Sequence, residues 1–126
     1  MFIQLGGFYA SDKFTNALYE NPGTDNRWLG VKLIGKASNI AGVGAMIKVN
    51  TKTQNDENKV FYKHINSGGS FGASSMQQMI GLGQAKEVTR LEIHWPTKRP
   101  EQVFTEVPLD KFLLIFEDKD DFELRD

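Results

Sequence analysis

The sequence predicts an all-β domain, an antiparallel sandwich or barrel-like fold with one or two short helical turns. Two observations carry that expectation. Apolar and polar residues alternate with a period of two along most of the chain after residue 27, as a sheet buried on one face requires. Turn-forming clusters separate these runs at short intervals, which is the spacing of antiparallel all-β folds. The bulk numbers agree: 126 residues, 40% hydrophobic and 25% charged, make one ordinary domain with enough apolar surface for a core.

In order along the chain, residues 28–34 (WLGVKLI) place Leu29, Val31 and Leu33 on one face and Gly30 and Lys32 on the other. The turn-rich segment 35–44 (GKASNIAGVG) is expected to hold a bulge. Residues 44–50 (GAMIKVN) set Ala45, Ile47 and Val49 against Met46 and Lys48, and the polar stretch 51–58 (TKTQNDEN) reads as a hairpin loop. Residues 59–65 (KVFYKHI) follow, with Phe61 and Ile65 opposite Tyr62 and His64. In residues 88–95 (VTRLEIHW), Thr89, Leu91, Ile93 and Trp95 oppose Arg90, Glu92 and His94. After a second loop at 96–100 (PTKRP) come two further strands, 101–107 (EQVFTEV) and 111–117 (KFLLIFE). The two helical turns are expected at 73–79 (ASSMQQM) and 107–113 (VPLDKFL). The turn at 21–26 (NPGTDN) sets the first residues apart, so residues 1–25 are read as an N-terminal arm and 26–126 as the β domain.

Composition excludes several function classes. A net charge of −1 and a pI near 6.1 leave no basic field for phosphates, so no nucleic acid partner is expected. Cysteine is absent, which removes disulfides, thiolate metal sites and cysteine nucleophiles. No run of 18 apolar residues exists, so no membrane insertion is expected, and the first residues lack the basic and apolar regions of a signal peptide.

One motif invites catalysis. Gly68-Gly69-Ser70-Phe71-Gly72 matches the G-x-S-x-G pattern of a serine nucleophile elbow. Such an elbow needs a histidine base and an acidic orienter on a large α/β sheet, and only His64 and His94 are available as bases. The same glycines serve a turn through their freedom at positive φ. The catalytic set is therefore read as none, with a small serine hydrolase built on Ser70 as the alternative. No metal site and no cofactor are expected: the two histidines are distant in sequence, and the acidic tail 117–126 (EDKDDFELRD) lacks the spacing of a calcium loop and reads as a solvated terminus. The candidate ligand-binding residues are Trp28, Tyr62, His94 and Arg90. Trp28 shares the register of Gly30 and Lys32, so its indole is a candidate sugar-stacking surface beside Arg27 and a tyrosine such as Tyr62.

From residue 26 onward the chain resembles the ASPIC/UnbV domain family. In that family a W-L-x-V-x-L-x-G strand leads to S-N-x-x-G-x-G-A-x-V, then to a serine- and glycine-rich turn, x-F-G-L-G, and a strand ending in W-P-S-G. The corresponding segments here are residues 28–35, 38–49, 67–75, 80–83 and 91–96. Ile80 stands where an aromatic often precedes G-L-G, and Thr97-Lys98 stands where Ser-Gly is usual. Residues 18–23 (LYENPG) resemble the last strand of an FG-GAP/VCBS propeller repeat. The resemblance implies a C-terminal module of a larger propeller protein, as in the cartilage acidic proteins, located outside the cell, at its surface or in the periplasm. It implies a non-catalytic accessory role in adhesion or in polysaccharide or protein recognition, with the preceding propeller as a partner. A purely structural cap on that propeller is the further alternative.

Overall fold

The computed structural model describes residues 1–3, 15–68, 75–98 and 101–125. Among these residues ten strands follow one another: β1 (Phe2–Ile3), β2 (Ala17–Leu18), β3 (Arg27–Ile34), β4 (Met46–Thr53), β5 (Asn58–His64), β6 (Gln77–Gly83), β7 (Ala85–His94), β8 (Gln102–Phe104), β9 (Phe112–Phe116) and β10 (Phe122–Arg125). β1 and β2 form a two-stranded ladder of their own. The others build two open four-stranded sheets, β10-β9-β3-β6 and β5-β4-β7-β8. Both sheets feed one core. Leu29, Val31, Leu33, Ile80, Leu82, Leu113 and Ile115 come from the first, and Ile47, Val49, Leu91, Ile93 and Phe104 from the second. This is a sandwich, with both sheets open at their edges.

The structure departs from the expected fold in instructive places. β3 and β9 run parallel, Gly30 opposite Phe112 and Ile34 opposite Phe116, so the first sheet is mixed. No helix occurs among the described residues, so neither 75–79 nor 107–113 takes up the expected helical turn. Residues 77–79 belong to β6 and residues 112–113 to β9, because Gln78, Ile80 and Leu82 alternate inward at a period of two. A bulge interrupts β4–β7, where Asn50 pairs with Arg90 but Thr51 pairs with Val88. Thr89 is thereby left outside the ladder and exposed, and Val88 takes the inward place that strict alternation assigns to Thr89.

The acidic tail is only partly solvated. Glu117 is 1% exposed, and its carboxylate accepts four hydrogen bonds. Oε2 accepts from the Lys36 and Ser38 amides at 2.7 and 2.8 Å. Oε1 accepts from the Ser38 hydroxyl at 2.8 Å and from Thr97 Oγ1 at 3.3 Å. The end of β9 is thus pinned to the β3–β4 connection and to the β7–β8 loop. Gln102 reinforces the same corner: its Nε2 donates to the carbonyls of Phe116 and Glu117 at 3.0 and 3.2 Å, and its Oε1 accepts from the buried Trp95 indole. Phe122 on β10 closes over the core edge-on to Phe104, their centroids 5.8 Å apart.

Burial alone would raise the Glu117 carboxyl pKa, but the Ser38 and Lys36 donors more than reverse this and hold it at about 2, against an ordinary 4.5. A depressed folded-state pKa stabilises the native state above the unfolded-state value, and that stability fades as pH falls towards the folded one. The shift corresponds to about 3 kcal/mol. In denaturant titrations, the gap between wild type and Glu117→Gln should be widest near neutrality and close progressively between pH 4.5 and about 2. A gap independent of pH would contradict this assignment.

Gly30 has a different role. A Cβ at this position would lie 2.1 Å from Phe112 Cδ1, so the ring covers the glycine at van der Waals contact. Gly30→Ala is expected to lower stability by about 1–3 kcal/mol through overpacking. Combining it with Phe112→Leu should recover part of the loss in a thermal melt.

Candidate functional site

Three of the four residues chosen from the sequence lie on one solvent-facing surface. In the second sheet Lys48 pairs with Tyr62 on one side and Glu92 on the other, Asn50 with Val60 and Arg90, and Met46 with His64 and His94. The outward positions of β5, β4 and β7 therefore bring Tyr62, Arg90 and His94 together, with Lys48 and Glu92 between them. Tyr62 is 57% exposed. Lys63 pairs opposite Ile47 and belongs to the inward register at the exposed sheet edge. Lys48 is the lysine that serves the outer face.

Glu92 organises this surface. It is 6% exposed although it points outward, because longer neighbours close over it. Lys48 Nζ lies 3.2 Å and Arg90 Nε 2.9 Å from Oε1, and Asn50 Nδ2 donates to the same oxygen at 3.4 Å. His94 Nε2 stands 3.4 Å from Oε2, enclosed and without a formed hydrogen bond. Burial pushes the Glu92 pKa up, but the Lys48 hydrogen bond and the Lys48 and Arg90 charges bring it below the ordinary glutamate value. The result is an ionised carboxylate that gathers two cations and an amide on the outer face. A pocket of about 450 Å³ adjoins it, lined by Asn50, Asn58, Lys59, Val60, Thr89 and Arg90 among others.

Trp28 is placed elsewhere. It lies on the outer face of the first sheet, on a different sheet from Tyr62, so the two aromatics form no common platform. Its half-buried ring tilts against Phe112 at a centroid distance of 4.9 Å and an angle of 57°. Its amide donates to Asp110 Oδ1 at 3.1 Å, and its carbonyl accepts from the Asp110 amide at 2.8 Å. Arg27 meets Asp110 Oδ2 at 2.6 Å. Around them opens a pocket of about 610 Å³, walled by the 21–26 turn, Arg27, Trp28 and Asp110.

Ser70 lies outside the described residues. His64 and His94 flank Met46 from strands two apart in the sheet, about 10 Å between backbones. Among the described residues no group of three or more His, Cys, Asp or Glu is placed to hold a metal ion. No helix among them is long and apolar enough to cross a membrane.

Sequence reasoning missed Lys48, Asn50 and Asp110. Lys48 and Asn50 sit in a clear alternation, and pairing β4 with β7 would have found them. Asp110 has no local signal, because its partner Trp28 is 82 positions away.

The Glu92 arrangement makes its own test. Lys48→Met should raise the Glu92 pKa, read from its side-chain carboxyl carbon shift by NMR, because the first of its stabilising donors is gone. An unchanged titration would show that Lys48 does not hold the carboxylate.

Comparison with known proteins gives one result. Neither curated proteins nor solved structures return a match. The family model described as ASPIC and UnbV matches residues 35–121, well over half of the chain, from the connection after β3 to the turn before β10. The match begins just beyond β3, although β3 pairs with both β6 and β9, so the folded unit is larger than the matched segment. On that match, the chain belongs to the ASPIC and UnbV family.

Proposed function

We propose that this domain is a non-catalytic recognition module of a larger exported or cell-surface protein, acting next to a β-propeller. It binds a protein or polysaccharide partner through the outer face of β5-β4-β7. The observation that carries this reading is the shared outer face of Tyr62, Arg90 and His94, on which Arg90 and His94 flank the buried Glu92 carboxylate and Tyr62 lies across Lys48 from it. Solvent-facing positions of an antiparallel sheet ordinarily carry scattered polar side chains. Here one carboxylate holds Lys48, Arg90 and Asn50 together, with an exposed tyrosine on the far side of Lys48. Pre-ordered side chains lose less entropy when a partner arrives. Membership of the ASPIC and UnbV family and the propeller-like segment 18–23 support a setting in a longer, exported chain.

Binding of the protein to envelope material from its source cells tests this reading. Tyr62→Ala and Arg90→Ala should each weaken saturable binding by about tenfold, the size of one lost anchor, with the thermal midpoint nearly unchanged in Tyr62→Ala. Ser70→Ala should leave binding intact and abolish no activity, and an active-site serine probe should not label the protein. Unchanged affinity in both face variants would overturn the reading, and labelling at Ser70 would favour the hydrolase. In fractionated source cells, antibody to this domain should detect a band well above 14.2 kDa in the exported fraction. A cytoplasmic band near that mass would remove the propeller and export inferences.

A further inference from the structure

The pocket at the start of β3 is distinct from the polar face of β5-β4-β7, and its lining has a different chemical character. We propose that it is a binding site for a neutral saccharide unit, with the Trp28 indole as the stacking surface and Arg27 and Asp110 reading hydroxyls. This assignment rests on the recognition reading above and names a ligand class for a second site.

Its volume of about 610 Å³ falls in the range of small-molecule sites. Typical sites of that size are mainly apolar, whereas this one is lined by Asn21, Thr24, Asp25, Arg27 and Asp110 with one large ring, Trp28. A polyhydroxylated ligand requires such a lining. Every hydroxyl is one donor and two acceptor sites, so its recognition needs donors and acceptors interleaved over a short distance. Guanidinium, carboxylate and amide groups supply both, and the tryptophan gives an amphipathic surface for the C–H face of a sugar ring.

Charge selects within that class. One guanidinium faces two carboxylates, Asp25 and Asp110, and Arg27 already meets Asp110 at 2.6 Å. A uronate or sulfated sugar would meet uncompensated negative charge, whereas a neutral one would not. Arg27 retains donor capacity at its head: the side chain is 43% exposed while Nη2 meets Asp110. The walls are also ordered before any ligand arrives. Asn21 Oδ1 accepts from the Gly23 amide at 3.0 Å, and Asn26 Oδ1 accepts from Gln84 Nε2 at 2.9 Å, which fastens the turn to the β6–β7 junction. Asp110 adopts a φ of 57°, a left-handed conformation held by its two backbone-level contacts with Trp28.

The chain has two tryptophans, and Trp95 is buried with its indole N–H donated to Gln102. Two indole signals are therefore expected in a ¹H–¹⁵N spectrum, assigned by Trp28→Phe. The full chain is titrated with cellohexaose, mannohexaose and xylohexaose, and with a galacturonate oligomer of equal length. The expected result is saturable movement of the Trp28 signal with at least one neutral oligomer and a response at least about tenfold weaker with the galacturonate. Arg27→Ala and, as a variant on the exposed turn, Asp25→Ala should each weaken that response by about tenfold, while Tyr62→Ala should not. A still Trp28 signal across the neutral oligomers, equal binding in Arg27→Ala and Asp25→Ala, or preference for the galacturonate would each overturn the proposal. Saccharide binding that moves only the Tyr62 face would overturn this site and leave the recognition reading standing. That reading fails separately, by unchanged envelope binding in Tyr62→Ala and Arg90→Ala.

Discussion

The Glu117 carboxylate is the constraint on which the rest of the sandwich depends. Two open sheets touching only through apolar side chains have no fixed relation at their ends, since hydrophobic contact is non-directional. Glu117 supplies direction at one end. It extends β9 past its last ladder position and takes donors from Lys36 and Ser38, in the β3–β4 connection that runs between the sheets, and from Thr97, in the β7–β8 loop of the second sheet. A buried carboxylate is tolerated only when its lone pairs are satisfied, and here four donors satisfy them. Gln102, bridging the Trp95 indole to the carbonyls that follow β9, makes the same corner rigid from inside.

With the sheets fixed from within, their outer faces are free to diverge. The first sheet carries Trp28, Phe112, Leu114 and Phe116 outward, and Phe112 lies flat against Gly30. The second carries an ion-pair plane. Glu92 and Glu117 are both nearly buried glutamates with depressed pKa values, yet they use opposite means: Glu117 is held by amide and hydroxyl donors, Glu92 by cationic side chains. Amide donors lock backbone to backbone and suit a structural joint. Cationic side chains remain half-exposed at the surface, where a partner can reach them.

Period-two alternation made most of the fold legible in the sequence. Leu29, Val31 and Leu33, and Ile47 and Val49, face the core as the alternation assigns them. What escaped was non-local or irregular. Gly81 and Gly83 thin out the pattern of β6, so the strand read as a motif rather than as sheet. The parallel pairing of β3 with β9 brings together segments some 80 positions apart, which no local pattern encodes. Glu117 shares its sequence neighbourhood with five exposed or terminal acids, and only the distant Ser38 distinguishes it. Of the candidate site, Tyr62, Arg90 and His94 were legible as outward positions. That they meet, and that Trp28 stands apart from them, depends on which strands are neighbours.

Hydrogen exchange of the full-length protein, with and without its saturating envelope partner, reads out whether the β5-β4-β7 face is the contact surface. With partner contact on the outer face of β5-β4-β7, exchange should slow in the exposed edge strand β5 and in the β4–β5 hairpin amides, while core amides of β3 stay unchanged. Partner-induced protection confined to other surfaces, with none along β5, would contradict it.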